Sequence, residues 1–385
     1  LQDKNINKKR LIELFMELAA IKSPSGNEKE IVEKVSRILA GMGLEVHVDD
    51  TGRKYGSNSG NITACFKGSS QDERLPIFLG AHLDTVGIDG EIEPVIENGI
   101  IKNRHDYILG GDDKVAVAAI IEALGKIRED NLPTGDIYLV FTISEEIGVV
   151  GAKHVDMDRV KARYGFVFDA NGDVGTIYNR APYQDSIDAE FRGKAAHAGI
   201  EPEKGINSIK AACTAITNIK TGRIDHETTC NVGRIRGGQA RNIVPEKTDI
   251  MLEARSLDPE KLKDVTGSMI KALEEAAEGT GAVLDYHVAR EYDGFTIAED
   301  ELPLRAAVTA LRNIGIEPRI ASSGGGSDIN IFNSKGKRAV NMSSGMEDVH
   351  TGTEYVKIEQ LCMLGRLILE MCTLDLKKVK RTSNG

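Results

Sequence analysis

Three short segments carry residue types that can do hydrolytic chemistry. They are Ala81-His82-Leu83-Asp84-Thr85, Gly110-Gly111-Asp112-Asp113-Lys114 and Ser144-Glu145-Glu146-Ile147-Gly148. Each follows or adjoins a strongly apolar run and offers imidazole or carboxylate ligands on a rigid support. Zinc takes such ligands, and a catalytic site leaves one position for water. His82 and Asp84, two apart in an extended segment, point the same way. That spacing suits His82 as a ligand and Asp84 as the residue that orients it. Asp112 opens a helix, where its carboxylate could bridge two ions. Of the adjacent pair Glu145-Glu146, one can bind metal while the other serves as general base.

Each segment alone has a plainer explanation. His-x-Asp pairs are common, an Asp-Asp before a helix is usually an N-cap, and Glu-Glu is usually a solvated surface feature. Their joint occurrence at the ends of apolar runs, with a further Asp169-Ala170-Asn171 and a late Val349-His350-Thr351, favours one site.

The supporting elements read as an α/β chain. Helical spacing runs over Leu11 to Leu18 and Glu28 to Leu39. Val46 to Val48 and Asn61 to Phe66 read as strands. Pro76 to Ala81, Asp136 to Ile143 and Tyr164 to Phe168 are short apolar runs of the kind buried strands show. Val115 to Leu124 is an alanine-rich helix. This alternation implies a mostly parallel sheet. His82, Glu145, Glu146 and Asp169 all fall just past strand ends, where ligands bind in such sheets. After Asn179 the texture changes to β-α-β-β-α-β: Ser186 to Phe191, Asn207 to Ile219, Thr228 to Ile235, Lys247 to Arg255, Pro259 to Glu278 and Ala282 to Ala289. That order suggests an inserted α+β, ferredoxin-like domain. Helix returns over Leu302 to Ile314 and Ile358 to Thr373. The expected division is a discontinuous catalytic domain of residues 1–183 and 295–376, an insert of 184–294, and a disordered tail of 377–385.

The 385 residues suffice for two domains. The net charge of −10 without a basic block argues against nucleic acid or anionic membrane as partner. No apolar stretch is long enough to span a membrane, and the polar start predicts no secretory signal. Five scattered cysteines without a Cys-x-x-Cys pair predict reduced thiols in a cytoplasmic protein.

Taken together, His82-Leu83-Asp84, Gly110 to Lys114, Glu145 to Gly148, Asp169 and His350 resemble the M20 family of co-catalytic zinc peptidases and deacylases, and its peptidase T-like (tripeptidase-like) branch above all. The resemblance spans nearly the whole chain and implies a zinc-exopeptidase-like catalytic domain with an inserted dimerisation or lid domain. It implies two zinc ions per subunit, with cobalt or manganese as possible occupants. His82 and Asp169 would bind one, Glu146 and His350 the other, and Asp112 would bridge them. Glu145 would be the general base toward a zinc-bridged hydroxide, and Asp84 would orient His82. The Asp112-Asp113 peptide is cis in many relatives.

From the residues alone, His197 in Gly193 to Gly199 is a glycine-flanked surface histidine. The resemblance implies instead that it reaches the partner's active site in a homodimer formed through the insert, and binds the oxyanion. It gives Asn242 a similar assisting role and Arg255 the holding of a substrate carboxylate, which a guanidinium binds bidentately. Ser322 to Asp328 lacks the Lys and spacing of a phosphate loop. It resembles the family's Gly-Gly-x-Asp loop, in which the amides of Gly325 and Gly326 would line the substrate pocket. The function so implied is metal-dependent hydrolysis of short peptides, as an aminopeptidase. The alternatives are an N-acyl amino acid deacylase or carboxypeptidase of the same family, and an inactive metal-stabilised binding protein.

Overall fold

The computed structural model describes residues 5–70, 73–87 and 90–379. The chain forms two compact units. One comprises Leu1–Arg180, Thr296–Ser322 and Ser327–Gly385, the other Ala181–Phe295 and Ser323–Gly326.

The first unit is built on a mixed sheet. Seven of its strands lie in the order Glu45–Val48, Ile62–Phe66, Ile137–Thr142, Ile77–His82, Tyr164–Val167, Arg338–Met342, Thr176–Ala181, and Arg319–Ser322 pairs in parallel with the last. The centre is parallel: Ile77–His82 runs alongside both Ile137–Thr142 and Tyr164–Val167, which in turn runs alongside Arg338–Met342. Antiparallel strands flank it. Every residue of Ile77–His82 and Ile137–Thr142 is buried, so both faces are covered and the apolar runs are continuous rather than alternating. Helix Lys114–Glu129 is apolar almost all round, and it packs between that sheet and the helices Lys8–Ala19 and Ile358–Thr373. Helix Asp328–Ser334 also packs on the sheet, its Phe332 meeting Phe78 edge to face at 5.7 Å.

A small second sheet was not foreseen. It pairs Met346–Glu347, Tyr355–Lys357, Ile100–Asn103 and Pro94–Glu97. Its hairpin carries His350 in the connecting loop.

The second unit has the anticipated β-α-β-β-α-β order with one added two-residue strand, Gly222–Arg223, after the first helix. Its antiparallel sheet runs Gly222–Arg223, Thr228–Gly237, Lys247–Ser256, Tyr183–Arg192, Val283–Tyr292. Helices Ser208–Asn218 and Pro259–Thr280 pack on each other and on the sheet. Ile187, Ala189 and Phe191 alternate into that core with Ala211, Ala215, Leu252 and Leu273.

Of the expected tail 377–385, Lys377 and Lys378 complete a 3-10 turn begun by buried Leu376, and 380–385 lie outside the described residues. Among the described residues no helix is long and apolar enough to cross a membrane.

Candidate metal centre

Three neighbouring parallel strands deliver three ligand segments to one edge of the sheet. His82 ends its strand, Glu145 and Glu146 follow Ile137–Thr142, and Asp169 follows Tyr164–Val167. Asp112 lies just ahead of helix Lys114–Glu129, after Gly110 at φ 72° and before a cis Asp112-Asp113 peptide. His350 arrives from the hairpin loop.

Four side chains, those of His82, Asp169, His350 and Glu146, gather around Asp112. Its Oδ1 is 3.1 Å from His82 Nε2, which is 3.9 Å from Asp169 Oδ1. Its Oδ2 is 3.3 Å from His350 Nε2, which is 2.9 Å from Glu146 Oε1. One carboxylate oxygen thus faces a His/Asp pair and the other a His/Glu pair. Ligand atoms of His82, Asp112 and Glu146 all lie within 4.8 Å of one another. His82 Nδ1 is 2.9 Å from the backbone carbonyl of Asp84, against 3.7 Å from its carboxylate. A carbonyl only accepts, so Nδ1 donates to it, and Nε2 is the ring atom left facing Asp112.

The Asp84 carboxylate is used elsewhere. Fully buried, it accepts the backbone N–H groups of Glu145 (2.9 Å) and Glu146 (3.2 Å) and the Ser25 hydroxyl (2.6 Å). Three further clamps escaped the sequence reading. Buried Glu28 accepts from the Ser144 N–H and hydroxyl. Asn341 accepts from the Asp169 N–H and donates to its carbonyl. Glu354 accepts from four consecutive N–H groups, those of Leu109 to Asp112. No pattern in the chain marks these partners, because they answer backbone groups far away in sequence.

The electrostatics show a crowd of acids. Burial, then the charge of Asp112, raises the Asp169 pKa to about 8. Burial and the charge of Asp169 push Glu145 well up. Burial raises Asp84 to about 6 and, above the effect of its Thr142 bond, Asp328 to about 7. Burial also opposes the charge on Asp112, but hydrogen bonds to His350 and His82 hold its pKa far below the carboxylate range. Hydrogen bonds to Asp112 and Glu146 raise His350 to about 10. Among the described residues, both Asp113 oxygens and Asp328 Oδ1 are buried without a hydrogen-bond partner. Converging imidazole and carboxylate donors amid excess buried negative charge fit divalent cations, which offset that repulsion.

The other sequence candidates belong to the second unit. His197 is exposed, its loop joined to that of Asn242 by the Ala198 N–H and the Asn242 carbonyl at 3.0 Å. Arg255 pairs with Glu253 through two hydrogen bonds of 2.9 and 3.2 Å. Gly325 lies against its guanidinium, where a Cβ would come within 3.4 Å of Nη1. The Gly326 N–H donates to the Tyr292 hydroxyl at 3.0 Å.

Known proteins resemble this chain over its length. Residues 185–281 match the peptidase dimerisation domain of the M20 family, and residues 96–177 match the M42 glutamyl aminopeptidases. The chain is 39% identical to the uncharacterised protein YqjE of Bacillus subtilis, over 94% of this chain and 98% of that one. It superposes on an aminopeptidase PepT of Bacillus cereus with a TM-score of 0.88, at 38% identity over 97% of this chain and all of that one. A tripeptidase of Staphylococcus aureus gives a TM-score of 0.92 at 34% identity, with the same coverage. The chain is therefore a metallopeptidase of the M20 family, in its peptidase T-like branch.

Proposed function

We propose that this enzyme is a two-metal aminopeptidase of short peptides, tripeptidase-like in substrate. The observation that carries this reading is Asp112, whose two oxygens face two separate His/carboxylate pairs. His82 with Asp169 and His350 with Glu146 would each hold one cation, zinc by donor chemistry, and Asp112 would share both. When bound, the metal pair supplies a polarised scissile carbonyl and a water acidic enough to attack near neutral pH.

The chain's own residues do the rest. Glu145 takes the proton of the attacking water as the new C–O bond forms, and returns it to the leaving amine as the C–N bond breaks. Asp84 keeps His82 oriented through its carbonyl and keeps Glu145 and Glu146 in place through its carboxylate. The second unit, by its match to a dimerisation domain, would join two copies. His197, assisted by Asn242, would then stabilise the oxyanion in the partner. Arg255, beside Gly325 and Gly326, would hold the substrate carboxylate. The likeness to the Bacillus cereus aminopeptidase and the Staphylococcus aureus tripeptidase supports the substrate class.

The test is hydrolysis of Ala-Ala-Ala, Ala-Ala, an N-blocked tripeptide and N-acetyl amino acids by zinc-loaded protein, with chelator controls. Chelator-sensitive cleavage of the free-amine peptides alone is expected. Glu145→Gln should bind metal like the wild type and lose turnover. Cleavage of blocked substrates only would move the enzyme to the deacylase or carboxypeptidase reading.

A further inference from the structure

We propose that Glu354 is a positioning residue that locks the His350 segment to the Asp112 segment, and so sets the spacing between the two metal positions. The inference rests on the reading of Asp112 and His350 as ligands.

Four N–H groups converge on this one buried carboxylate. Oε2 accepts from Leu109 at 2.7 Å and Gly110 at 2.9 Å, and Oε1 from Gly111 at 2.8 Å and Asp112 at 3.1 Å. Glu354 is 2% exposed. The sequence of the loop makes room for it. Gly110 takes a left-handed φ of 72°, and a Cβ on Gly111 would sit 3.0 Å from Oε1. A neutral amide in that place offers a single acceptor oxygen, so two of the four donors would face its NH₂ group. Only a carboxylate answers all four.

Glu354 also stands four residues after His350. The Glu354 N–H donates to the Thr351 carbonyl at 3.2 Å, which closes a tight turn directly after the histidine. From Glu354 the connection runs to the Asp112 backbone, through the Asp112 carboxylate, and across 3.3 Å to His350 Nε2. This is a closed circuit of short links. Loosening the Glu354 link frees the loop that carries Asp112 to move relative to the hairpin that carries His350.

Glu354→Gln tests it, read by zinc affinity in competition with a chelating dye and by the visible spectrum of the cobalt-loaded protein. The expected result is a loss of affinity of about 10–100-fold, as for other residues that orient metal ligands. A shifted cobalt spectrum and a lower kcat at nearly constant KM should accompany it. Gly111→Ala presses on the same contact without changing charge, and should shift the same readouts in the same direction by less. If Glu354→Gln does not fold, Gly111→Ala decides. Asp112→Asn separates the two layers of the argument. If it binds zinc like the wild type, the ligand reading itself fails. If it loses zinc while Glu354→Gln keeps wild-type affinity and spectrum, the positioning role falls and the ligand reading stands.

Discussion

Ser144 stands directly before Glu145 and Glu146, and the structure gives it a measurable task. It is buried and adopts a left-handed φ of 53°. Its hydroxyl donates to Glu28 Oε1 at 2.7 Å and its N–H to the same oxygen at 3.1 Å. Glu28 is fully buried, and Oε1 also accepts the Gly26 N–H at 2.8 Å. The Ser57 hydroxyl serves Oε2. Ser144→Ala removes one hydrogen bond to a charged group, worth about 1.5–3 kcal/mol. Two backbone donors remain on that oxygen, so the lower half of the range is expected. Glu28→Gln can keep its amide oxygen at the Oε1 position and turn its NH₂ toward Ser57, whose hydroxyl can accept. Its cost is mainly the lost charge assistance, about 1–2 kcal/mol. The two changes share one bond, so the double variant should fall short of their sum by about 1 kcal/mol. Ser144→Gly loses the same hydroxyl but relaxes the left-handed backbone, and should be about 0.5–1 kcal/mol more stable than Ser144→Ala. Urea unfolding measures these differences. Steady-state kinetics should show kcat down about 10–100-fold in Ser144→Ala, because a small displacement of Glu145 acts directly on the reacting geometry. Wild-type stability and kcat in Ser144→Ala, or additivity within about 0.3 kcal/mol, would refute the reasoning.

Two further outcomes are expected. In metal-free protein the folded pKa of His350 is about 10, raised from 6.5 by Asp112 and Glu146. Its stabilising contribution is therefore complete below pH 6.5 and lost as pH rises through 10. Melting temperature should fall across that window with a shallow slope, since the ring is half exposed, and the slope should flatten in His350→Gln; an unchanged slope would be inconsistent with the assignment. If His197 acts in the partner's site, mixing His197→Ala chains with Glu145→Gln chains should restore activity, and confirmed heterodimers that stay silent would exclude the role.

The parts of this molecule that read clearly from sequence are those set by local pattern. The runs Ile77–His82 and Ile137–Thr142 are apolar without interruption because the sheet is covered on both faces. The helix Ile358–Thr373 carries its own periodicity. The ligand residues stood out because polar, metal-binding types at the ends of such runs have few other reasons to be there. The small sheet did not stand out, since its strands are two to four residues long and half exposed. One cue to it was present all the same. Asn98 and Gly99 both have positive φ, at 50° and 81°, joining Pro94–Glu97 to Ile100–Asn103 in the tight turn that Asn-Gly favours. Helix Asp328–Ser334 is too short at seven residues to show a period. Glu354 gave no cue, because its partners are 242 to 245 residues away.

The clamps share a physical origin. A ligand just past a strand end has left the ladder, so its backbone groups lose their partners while still buried, a situation native proteins avoid. Here the missing partners are supplied by side chains from other segments of the same site or from beside it. Asp84, two residues after His82, serves Glu145 and Glu146. Glu354, four after His350, serves Gly110 to Asp112. Asn341, on the strand next to Tyr164–Val167, serves Asp169. Three ligand segments are thus held by side chains from elsewhere in the chain, an arrangement that ties the cluster together. That arrangement couples the ligands of one cluster, so substitutions at Asp84, Glu354 and Asn341 should be non-additive in metal affinity even though their side chains perform separate bonds. It also gives a reason for the acidic excess beyond the ligands themselves. Carboxylates are the side chains that can accept several backbone donors at once, and the charge they bring adds to the demand for cations at the centre.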